Sequence, residues 1–393
     1  MGPTSATRDL EELLAESPAD AAQRAADSFS LAAGDALALY GAGTLGRTAL
    51  AGLRAAGVEP VAFADDTPEK RGRTLDGLPV MPPAEIAERY GARAVFAVTI
   101  LNPRLSFLGA KRRLEAHGAG RVVSFLSLAW KYPARLLPHY QYELPQDLLA
   151  EARGVREAFD VWADDESRRQ FVAHLRFRLR ADYGALPARS RDIYFPADVP
   201  LALGADATFV DCGAYDGDTL REFLRHVGGR FRAVHAFEPD AENCRRLREF
   251  VSTLGDGAAH KIHVHHAGVG AARARMSFDA TGNTGASLKP GGAAQVEVVP
   301  VDEVVEPDGA SVYVKYDVEG AEGDALRGTE RLIARSRPAL AVSVYHLPDD
   351  FWRLPLYLKS LPADYRLFLR THGEDGMDLI CYAIPTAGAG AER

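Results

Sequence analysis

Two acidic groups at the ends of predicted strands have the residue types and spacing of a ligand site. Residues 209–218 read Phe-Val-Asp-Cys-Gly-Ala-Tyr-Asp-Gly-Asp, an apolar run that breaks into a glycine-rich turn, and the next apolar run ends at Phe237-Glu238-Pro239. An acidic side chain at the end of the second strand can accept hydrogen bonds from both hydroxyls of a ribose. The pair therefore predicts a site for a nucleoside cofactor.

The charge of the turn indicates which cofactor this is. Asp211, Asp216 and Asp218 would repel a pyrophosphate beside the N-terminus of the following helix. S-adenosylmethionine has no phosphate, and its sulfonium and ammonium groups are cations that carboxylates attract. We therefore expect S-adenosylmethionine here, in contact with these residues: Asp211, Gly213, Ala214, Tyr215, Asp216, Gly217, Asp218, Glu238, Pro239 and Asp317.

A second polar group follows later strands of the same half of the chain. Lys315, Asp317 and Glu319 alternate along a predicted strand and its exit, so their side chains point to one face. Ligands of open α/β sheets bind at the carboxyl ends of the strands, and His346 also follows an apolar run. We expect Asp317 or His346 to act as a general base and Glu319 to orient the acceptor. The alternatives are a buried ion pair of Lys315 and a structural histidine, and we predict no metal ion.

Composition limits the possible classes of protein. The chain has 393 residues, of which 47% are apolar and 25% are charged, values that are ordinary for a globular protein of two or more domains. The net charge of -8 argues against a nucleic-acid partner. We find neither a signal-peptide pattern nor an apolar stretch of membrane-spanning length, so we expect a cytoplasmic protein without a membrane partner.

Strand and helix patterns alternate along most of the chain, which predicts an α/β fold with two Rossmann-like domains. We expect amphipathic helices in 1–34, a small parallel-sheet domain in 35–130, a helical connector in 131–200 and a larger α/β domain in 201–393. The first sheet is predicted to use strands near 36–40, 61–64, 94–99 and 121–125. The second is predicted to use strands near 208–210, 233–237, 262–265, 311–316, 339–345, 365–370 and 379–383.

Two further features leave alternatives open. The turn at residues 41–46, with Arg47 behind it, is neutral and suits a phosphate. A nucleotide site there would use Gly41, Gly43, Gly46 and, for the ribose, Asp65. The alternative is a fold that serves only packing or assembly. The glycine-rich stretch 282–292 contains Asn283, Thr284 and Ser287, which are either a polar lid or a flexible loop.

With these motifs in order, the second half of the chain resembles the FkbM family of S-adenosylmethionine-dependent methyltransferases. The resemblance covers residues 200–384 and rests on residues 209–219, 236–240 with Asn243, 299–302, and 314–322 continuing to 328. It implies a seven-stranded Rossmann-like fold whose last strand is antiparallel, and methyl transfer, most often to a hydroxyl of a sugar or natural product. Ser343 stands where many members carry a carboxylate, so the identity of the base stays open.

Residues 35–125 resemble the small nucleotide-binding domains in front of sugar acetyltransferases and nucleotide-sugar dehydratases, through the turn at 41–46 and residues 63–71 and 77–80. Together the two resemblances predict an O-methyltransferase that acts on a small-molecule or glycan hydroxyl. The acceptor would be a nucleotide-activated sugar, a glycan or a glycosylated natural product, and the first domain would bind a nucleotide sugar. The alternatives are a nucleotide-sugar binding or assembly protein with an inactive methyltransferase fold, and a dinucleotide-dependent oxidoreductase.

Overall fold

A computed structural model of the chain describes residues 4–279, 287–288, 294–306 and 311–386. Asn283 and Thr284 lie outside the described residues. The chain divides into two compact units, both of mixed α/β structure. Unit 1 comprises Met1–Arg156, Arg168–Arg189 and Gly373–Asp378, and unit 2 comprises Glu157–Ser167, Ser190–His372 and Leu379–Arg393. The predicted fold class, with one Rossmann-like sheet in each half of the chain, is confirmed.

Unit 1 is built on a six-stranded sheet. Its strands are β1 (Ala36–Tyr40), β2 (Ala62–Ala64), β3 (Thr74–Leu75), β4 (Leu78–Met81), β5 (Ala94–Val98) and β6 (Arg121–Ser124). Its helices are α1 (Ser5–Leu14), α2 (Pro18–Ala26), α3 (Thr44–Ala55), α4 (Pro83–Tyr90), α5 (Phe107–Ala116), α6 (Phe125–Lys131), α7 (Pro133–Leu136) and α8 (Pro145–Ala150). The strand order is β3-β4-β2-β1-β5-β6, and only the β3–β4 pair is antiparallel. The boundary between the units passes through α9 (Ala152–Asp160) and α10 (Asp165–Arg180).

Strand β1 explains why the first sheet could be predicted from an unbroken apolar run. All five of its residues are buried. Leu37 and Leu39 pack in one hydrophobic cluster, whereas Ala38 and Tyr40 pack in another. Both faces of the strand are therefore covered, which is the usual situation in a parallel sheet and requires apolar side chains at every position.

Unit 2 contains a seven-stranded sheet and a second, four-stranded sheet. Its strands are β7 (Thr208–Cys212), β8 (Ala233–Phe237), β9 (Ile262–His265), β10 (Gly268–Val269), β11 (Ala274–Asp279), β12 (Ser287–Leu288), β13 (Ala294–Val299), β14 (Val312–Tyr316), β15 (Ala339–Ser343), β16 (Tyr365–Thr371) and β17 (Leu379–Pro385). Its helices are α11 (Asp218–His226), α12 (Ala241–Ser252), α13 (Asp256–Ala259), α14 (Glu322–Arg327), α15 (Glu330–Ser336) and α16 (Asp350–Ser360).

The order of the larger sheet is β16-β17-β15-β14-β7-β8-β9. Strand β17 runs antiparallel to both of its neighbours and the other pairs are parallel, as the family resemblance implies. The smaller sheet, β10-β13-β11-β12, was not predicted. Two of its strands have only two residues, which is too short for an alternating pattern to be recognised.

Candidate active site

The candidate site lies where the carboxyl ends of neighbouring strands meet. Strand β14 is paired with β7 on one side and β15 on the other, so the residues that follow these strands come together at one edge of the sheet. Gly213, just after β7, has a left-handed backbone, and a Cβ atom there would lie 2.0 Å from the carbonyl oxygen of Asp317. Only glycine permits this close approach of the two strand exits.

Glu238 closes the glycine-rich turn from the next strand. Its Oε2 accepts a hydrogen bond from the backbone N–H of Tyr215 at 2.8 Å, and its Oε1 accepts one from Asp240 at 2.8 Å. Burial raises the pKa of Glu238 to about 7, against the hydrogen bonds, which oppose the rise. Oε1 also accepts a longer hydrogen bond from Nδ2 of Asn243 at 3.5 Å, so Oε2 is the oxygen that keeps a further lone pair for a ligand donor. The structure thus brings Glu238 and the turn together at the predicted cofactor site.

The three carboxylates of the turn have partners within the protein. Asp211 lies 3.1 Å from Nζ of Lys315, and Asp216 lies 3.1 Å from a guanidinium nitrogen of Arg221. Asp218 begins α11 and accepts a hydrogen bond from the next backbone N–H at 2.7 Å. These contacts lower the repulsion between the three carboxylates. Whether the turn still attracts a cationic cofactor therefore depends on the charge and the remaining lone pairs of Asp211.

Asp211 and Lys315 form the buried ion pair that the sequence left as an alternative. The register of β7 and β14 places the two residues side by side, and their side chains are 0% and 2% exposed. Burial raises the pKa of Asp211 to about 6, although Lys315 opposes the rise. For Lys315, burial would lower the pKa, but Asp211 and Asp317 outweigh it and the pKa is raised. Among the described residues, none donates a hydrogen bond of regular geometry to either oxygen of Asp211.

Asp317 is oriented by two hydroxyl groups. Its Oδ2 accepts a hydrogen bond from Tyr194 Oη at 2.8 Å, and its Oδ1 accepts one from Ser343 Oγ at 2.9 Å. Burial would raise the pKa of Asp317, but Lys315 and His346, together with these hydroxyls, outweigh it and lower the pKa. Asp317 is therefore ionised at neutral pH. Ser343 thus supports Asp317 with a hydrogen bond and adds no charge of its own.

His346 lies among three carboxylates. Its Nδ1 is 2.7 Å from Oε1 of Glu322, and its Nε2 is 3.5 Å from Oδ1 of Asp317 and 4.0 Å from Oε2 of Glu319. Burial would lower the pKa of His346, but Glu322, Glu319 and Asp317 outweigh it and raise the pKa to about 10. An imidazolium cannot accept another proton. Of the two predicted bases, Asp317 is thus the one in the correct protonation state.

Glu322 and Tyr194 are the site residues that the sequence did not single out. Glu322 is fully buried and accepts hydrogen bonds from the backbone N–H groups of Val318 at 2.8 Å and Gly320 at 3.0 Å. Its position inside the 314–322 motif was the available signal. Tyr194 lies 123 residues before Asp317, in the region that we predict as a connector. No local pattern marks it.

Asp317, Glu322 and His346 also have the composition of a metal site. One donor atom of each lies within 4.8 Å of the others, and the described residues contain no other such group of three. Nδ1 of His346 is engaged by Glu322, and both oxygens of Asp317 accept hydrogen bonds from hydroxyls. The absence of a metal requirement stays a prediction.

In unit 1, Asp65 is tied to the protein's own donors. Its Oδ2 accepts hydrogen bonds from the N–H of Ala42 at 2.9 Å and from Lys70 Nζ at 2.8 Å, and its Oδ1 accepts one from the N–H of Thr67 at 2.9 Å. Burial would raise the pKa of Asp65, but Lys70 and Thr67 outweigh it and lower the pKa to about 2. A ribose hydroxyl that binds Asp65 would have to compete with these donors for the lone pairs of the carboxylate.

The start of α3 keeps one feature of a phosphate site and lacks another. Gly43 precedes the helix without a side-chain cap, and no atom lies within 4 Å of a Cβ built there. Gly46 packs tightly, because a Cβ atom on it would lie 1.9 Å from the carbonyl oxygen of Gly41. Arg47, however, forms two hydrogen bonds to Asp76, at 2.6 and 3.1 Å. The helix start is open, but the cation expected beside it is already paired.

Comparison with known proteins gives a family for most of the part of the chain that carries this site. Residues 211–375 match the family model of the methyltransferase FkbM domain. This segment is an FkbM methyltransferase domain. The matched range contains the turn, Glu238, the Lys315–Glu322 segment and His346. These residues of the candidate site therefore lie within the matched domain.

One solved structure agrees with this fold. The crystal structure of methyltransferase FkbM from Methylobacillus flagellatus KT covers 93% of this chain and 99% of its own, with 24% identity and a TM-score of 0.73. An rRNA methylase from Streptococcus thermophilus covers 47% of this chain and 91% of its own, with 14% identity and a TM-score of 0.30. No curated protein matches the chain.

In the described part of the chain, no helix has both the length and the apolar character needed to cross a membrane.

The FkbM assignment implies S-adenosylmethionine as methyl donor, and the residues present fit it. Asp211 is a buried carboxylate whose charge is balanced by Nζ of Lys315 at 3.1 Å. Its oxygens accept no hydrogen bond of regular geometry within the described protein, so lone pairs remain for a cationic N–H donor beside this ion pair. Glu238 can accept a ribose hydroxyl at the end of β8. These two residues and the backbone of Gly213 would hold the cofactor, and the bound cofactor would supply an electrophilic methyl group.

Proposed function

We propose that the FkbM domain methylates a hydroxyl group of a sugar or of a glycosylated natural product. The observation that carries the proposal is Asp317, an ionised carboxylate held by two hydroxyls at the carboxyl end of β14. Such a group is suited to accept the proton that an alcohol loses on methylation.

The charge of the site favours a hydroxyl over an amine as acceptor. Asp317, Glu319 and Glu322 surround His346, and carboxylates raise the pKa of any amine bound beside them. An amine held as ammonium has no lone pair with which to attack. A hydroxyl is neutral under the same conditions and keeps its lone pairs.

The protein's part in the reaction is placement and proton removal. As the new carbon–oxygen bond forms and the carbon–sulfur bond breaks, the acceptor oxygen becomes strongly acidic. A carboxylate of low pKa can then take its proton, so Asp317 need not be a strong base. The cation at His346 keeps Asp317 ionised before the reaction. Fixed placement of the acceptor oxygen supplies the rest of the acceleration.

The test is turnover of Asp317→Asn against cofactor binding. We expect S-adenosylmethionine affinity to change little and turnover to fall by roughly two to four powers of ten, the usual contribution of a positioned base. Asp256→Asn, at an exposed position of the same unit, is the matched control. Mass spectrometry and NMR of the product should locate the methyl group on oxygen. If Asp317→Asn keeps full turnover and His346→Ala loses turnover, the base is His346 and not Asp317. A methyl group on nitrogen would refute the proposal.

A further inference from the structure

A cleft of about 430 Å³ opens beside the candidate site in unit 2. One wall comes from the smaller sheet and the residues around β10, including Val269 and Met276. The other comes from the segment after β14, with Glu319 and Asp324, and from Leu347 after β15. The volume is in the range of small-molecule sites and suits one or two sugar rings.

Glu319 connects this cleft to the chemistry. Its side chain lines the cleft, and its Oε2 lies 4.0 Å from Nε2 of His346. Glu319 has a left-handed backbone, with φ of 54°, and Gly320 beside it has φ of 96°. A non-glycine residue in this conformation is strained and is held by its surroundings, a condition that is common in ligand sites. A molecule in the cleft would contact Glu319, one of the carboxylates around His346.

The cleft is acidic. Glu319 and Asp324 line it, and none of the described lining residues is lysine, arginine or histidine. Asp324 is paired with Arg327 on the same helix, α14. Recognition of a diphosphate requires arginine, lysine or the N-terminus of a helix. The start of α14 at Ala321 does line this cleft, but the first turn of that helix carries the carboxylates Glu322 and Asp324. A nucleoside diphosphate there would therefore meet negative charge.

The cleft also has an apolar surface. Among the described residues, three large apolar side chains are exposed, and two of them, Met276 at 42% and Leu347 at 43%, line this cleft. Exposed apolar side chains at the rim of a concave site are typical of ligand contact. A sugar ring matches both the apolar surface and the carboxylates of the cleft, because its C–H face packs on apolar side chains and its hydroxyls donate hydrogen bonds to carboxylates.

We propose that this cleft binds the acceptor and selects an uncharged glycoside with an apolar face over a sugar attached to a nucleoside diphosphate. The proposal rests on the proposed function and narrows it. Of the acceptors that the sequence leaves open, it favours the glycan or glycosylated natural product. A nucleotide sugar bound by unit 1 would then not be the methyl acceptor.

The experiment measures binding separately from transfer, so that the two proposals can fail independently. Full-length protein is saturated with S-adenosylhomocysteine, and p-nitrophenyl hexosides, UDP-glucose and dTDP-glucose are compared by saturation-transfer NMR. We expect binding of at least one hexoside, and roughly 3- to 30-fold weaker binding in Leu347→Ala because apolar contact is lost. Leu105→Ala, at a leucine of similar exposure outside the cleft (51%), should bind like the wild type. Asp324→Lys should improve binding of the nucleotide sugars.

Three results would overturn the cleft assignment: no hexoside binds, Leu347→Ala binds as well as the wild type, or the nucleotide sugars bind as tightly as the hexosides. Turnover tests the other proposal. A bound hexoside whose affinity depends on Leu347, combined with methylation at nitrogen in other compounds, supports the cleft assignment and refutes O-methylation.

Discussion

Removal of one hydroxyl group tests the role of Asp317 without disturbing the fold. Tyr194 donates a hydrogen bond to Asp317 Oδ2 at 2.8 Å from a left-handed backbone with φ of 70°. That backbone is held on both sides, because its N–H donates to Tyr382 Oη at 3.1 Å and its carbonyl oxygen accepts a hydrogen bond from Tyr313 Oη. Tyr194→Phe deletes only the hydroxyl, so the ring should keep its place.

The size of the effect follows from the environment of the carboxylate. A hydrogen bond to a charged group contributes about 1.5–3 kcal/mol, and one pKa unit corresponds to about 1.4 kcal/mol. Asp317 keeps Ser343 and Lys315 as partners, and its side chain is 28% exposed, so water recovers part of the loss. We take the lower end of the range and expect the pKa of Asp317 to rise by about one unit.

The assay is the pH dependence of kcat/KM. In the native protein the pKa of Asp317 is lowered, and its ionised form accepts the proton, so activity is present above that pKa and is lost as the pH falls through it. Tyr194→Phe raises the pKa, so the acid limb should move to higher pH by about one unit. A purely structural role would lower activity at every pH without moving the limb.

Tyr357→Phe is the matched control. Tyr357 also donates to a carboxylate, Oε1 of Glu330 at 2.6 Å, but lies on α16 away from the cluster around Asp317. Its loss should leave the acid limb in place. If Tyr194→Phe also leaves the limb unmoved, while thermal unfolding and cofactor affinity are those of the wild type, then Asp317 is not the titrating base.

Three further predictions concern the cofactor, stability and unit 1. Glu238→Ala should weaken S-adenosylmethionine binding by about 1.5–3 kcal/mol in calorimetry, and unchanged affinity in a folded protein would contradict the ribose assignment. Lys315→Met should lower the free energy of unfolding by about 3–5 kcal/mol in urea because Asp211 is left as an uncompensated buried charge; a loss below about 1 kcal/mol would mean that the pair is not needed. A nucleotide sugar should bind the full chain and lose affinity in Gly43→Asp, which adds a carboxylate at the start of α3; no binding across a panel would leave unit 1 as a scaffold.

Much of the fold could be predicted from local patterns. The bounds of β8 and β9 match the prediction. At residue 125 the prediction was wrong, since the strand ends at Ser124, whose hydroxyl accepts the N–H of Ser127 and so caps α6. Strand β15 also ends earlier than predicted, at Ser343, which places His346 in the loop after the strand.

The candidate site could be predicted only in part, because residue types indicate chemistry but not partners. Alternating polarity and glycine turns are local properties, so Asp211, Glu238, Asp317 and His346 could be assigned to strand ends from the sequence. Whether a carboxylate is repelled, paired or protonated depends on side chains that register and topology bring beside it. The pairing of β7 with β14 gives Asp211 its lysine. The turn after β14 brings Glu322 beside His346, and the long-range packing of Tyr194 adds a hydroxyl donor to Asp317. These contacts join residues distant in sequence, and such pairings exist only once the chain has folded.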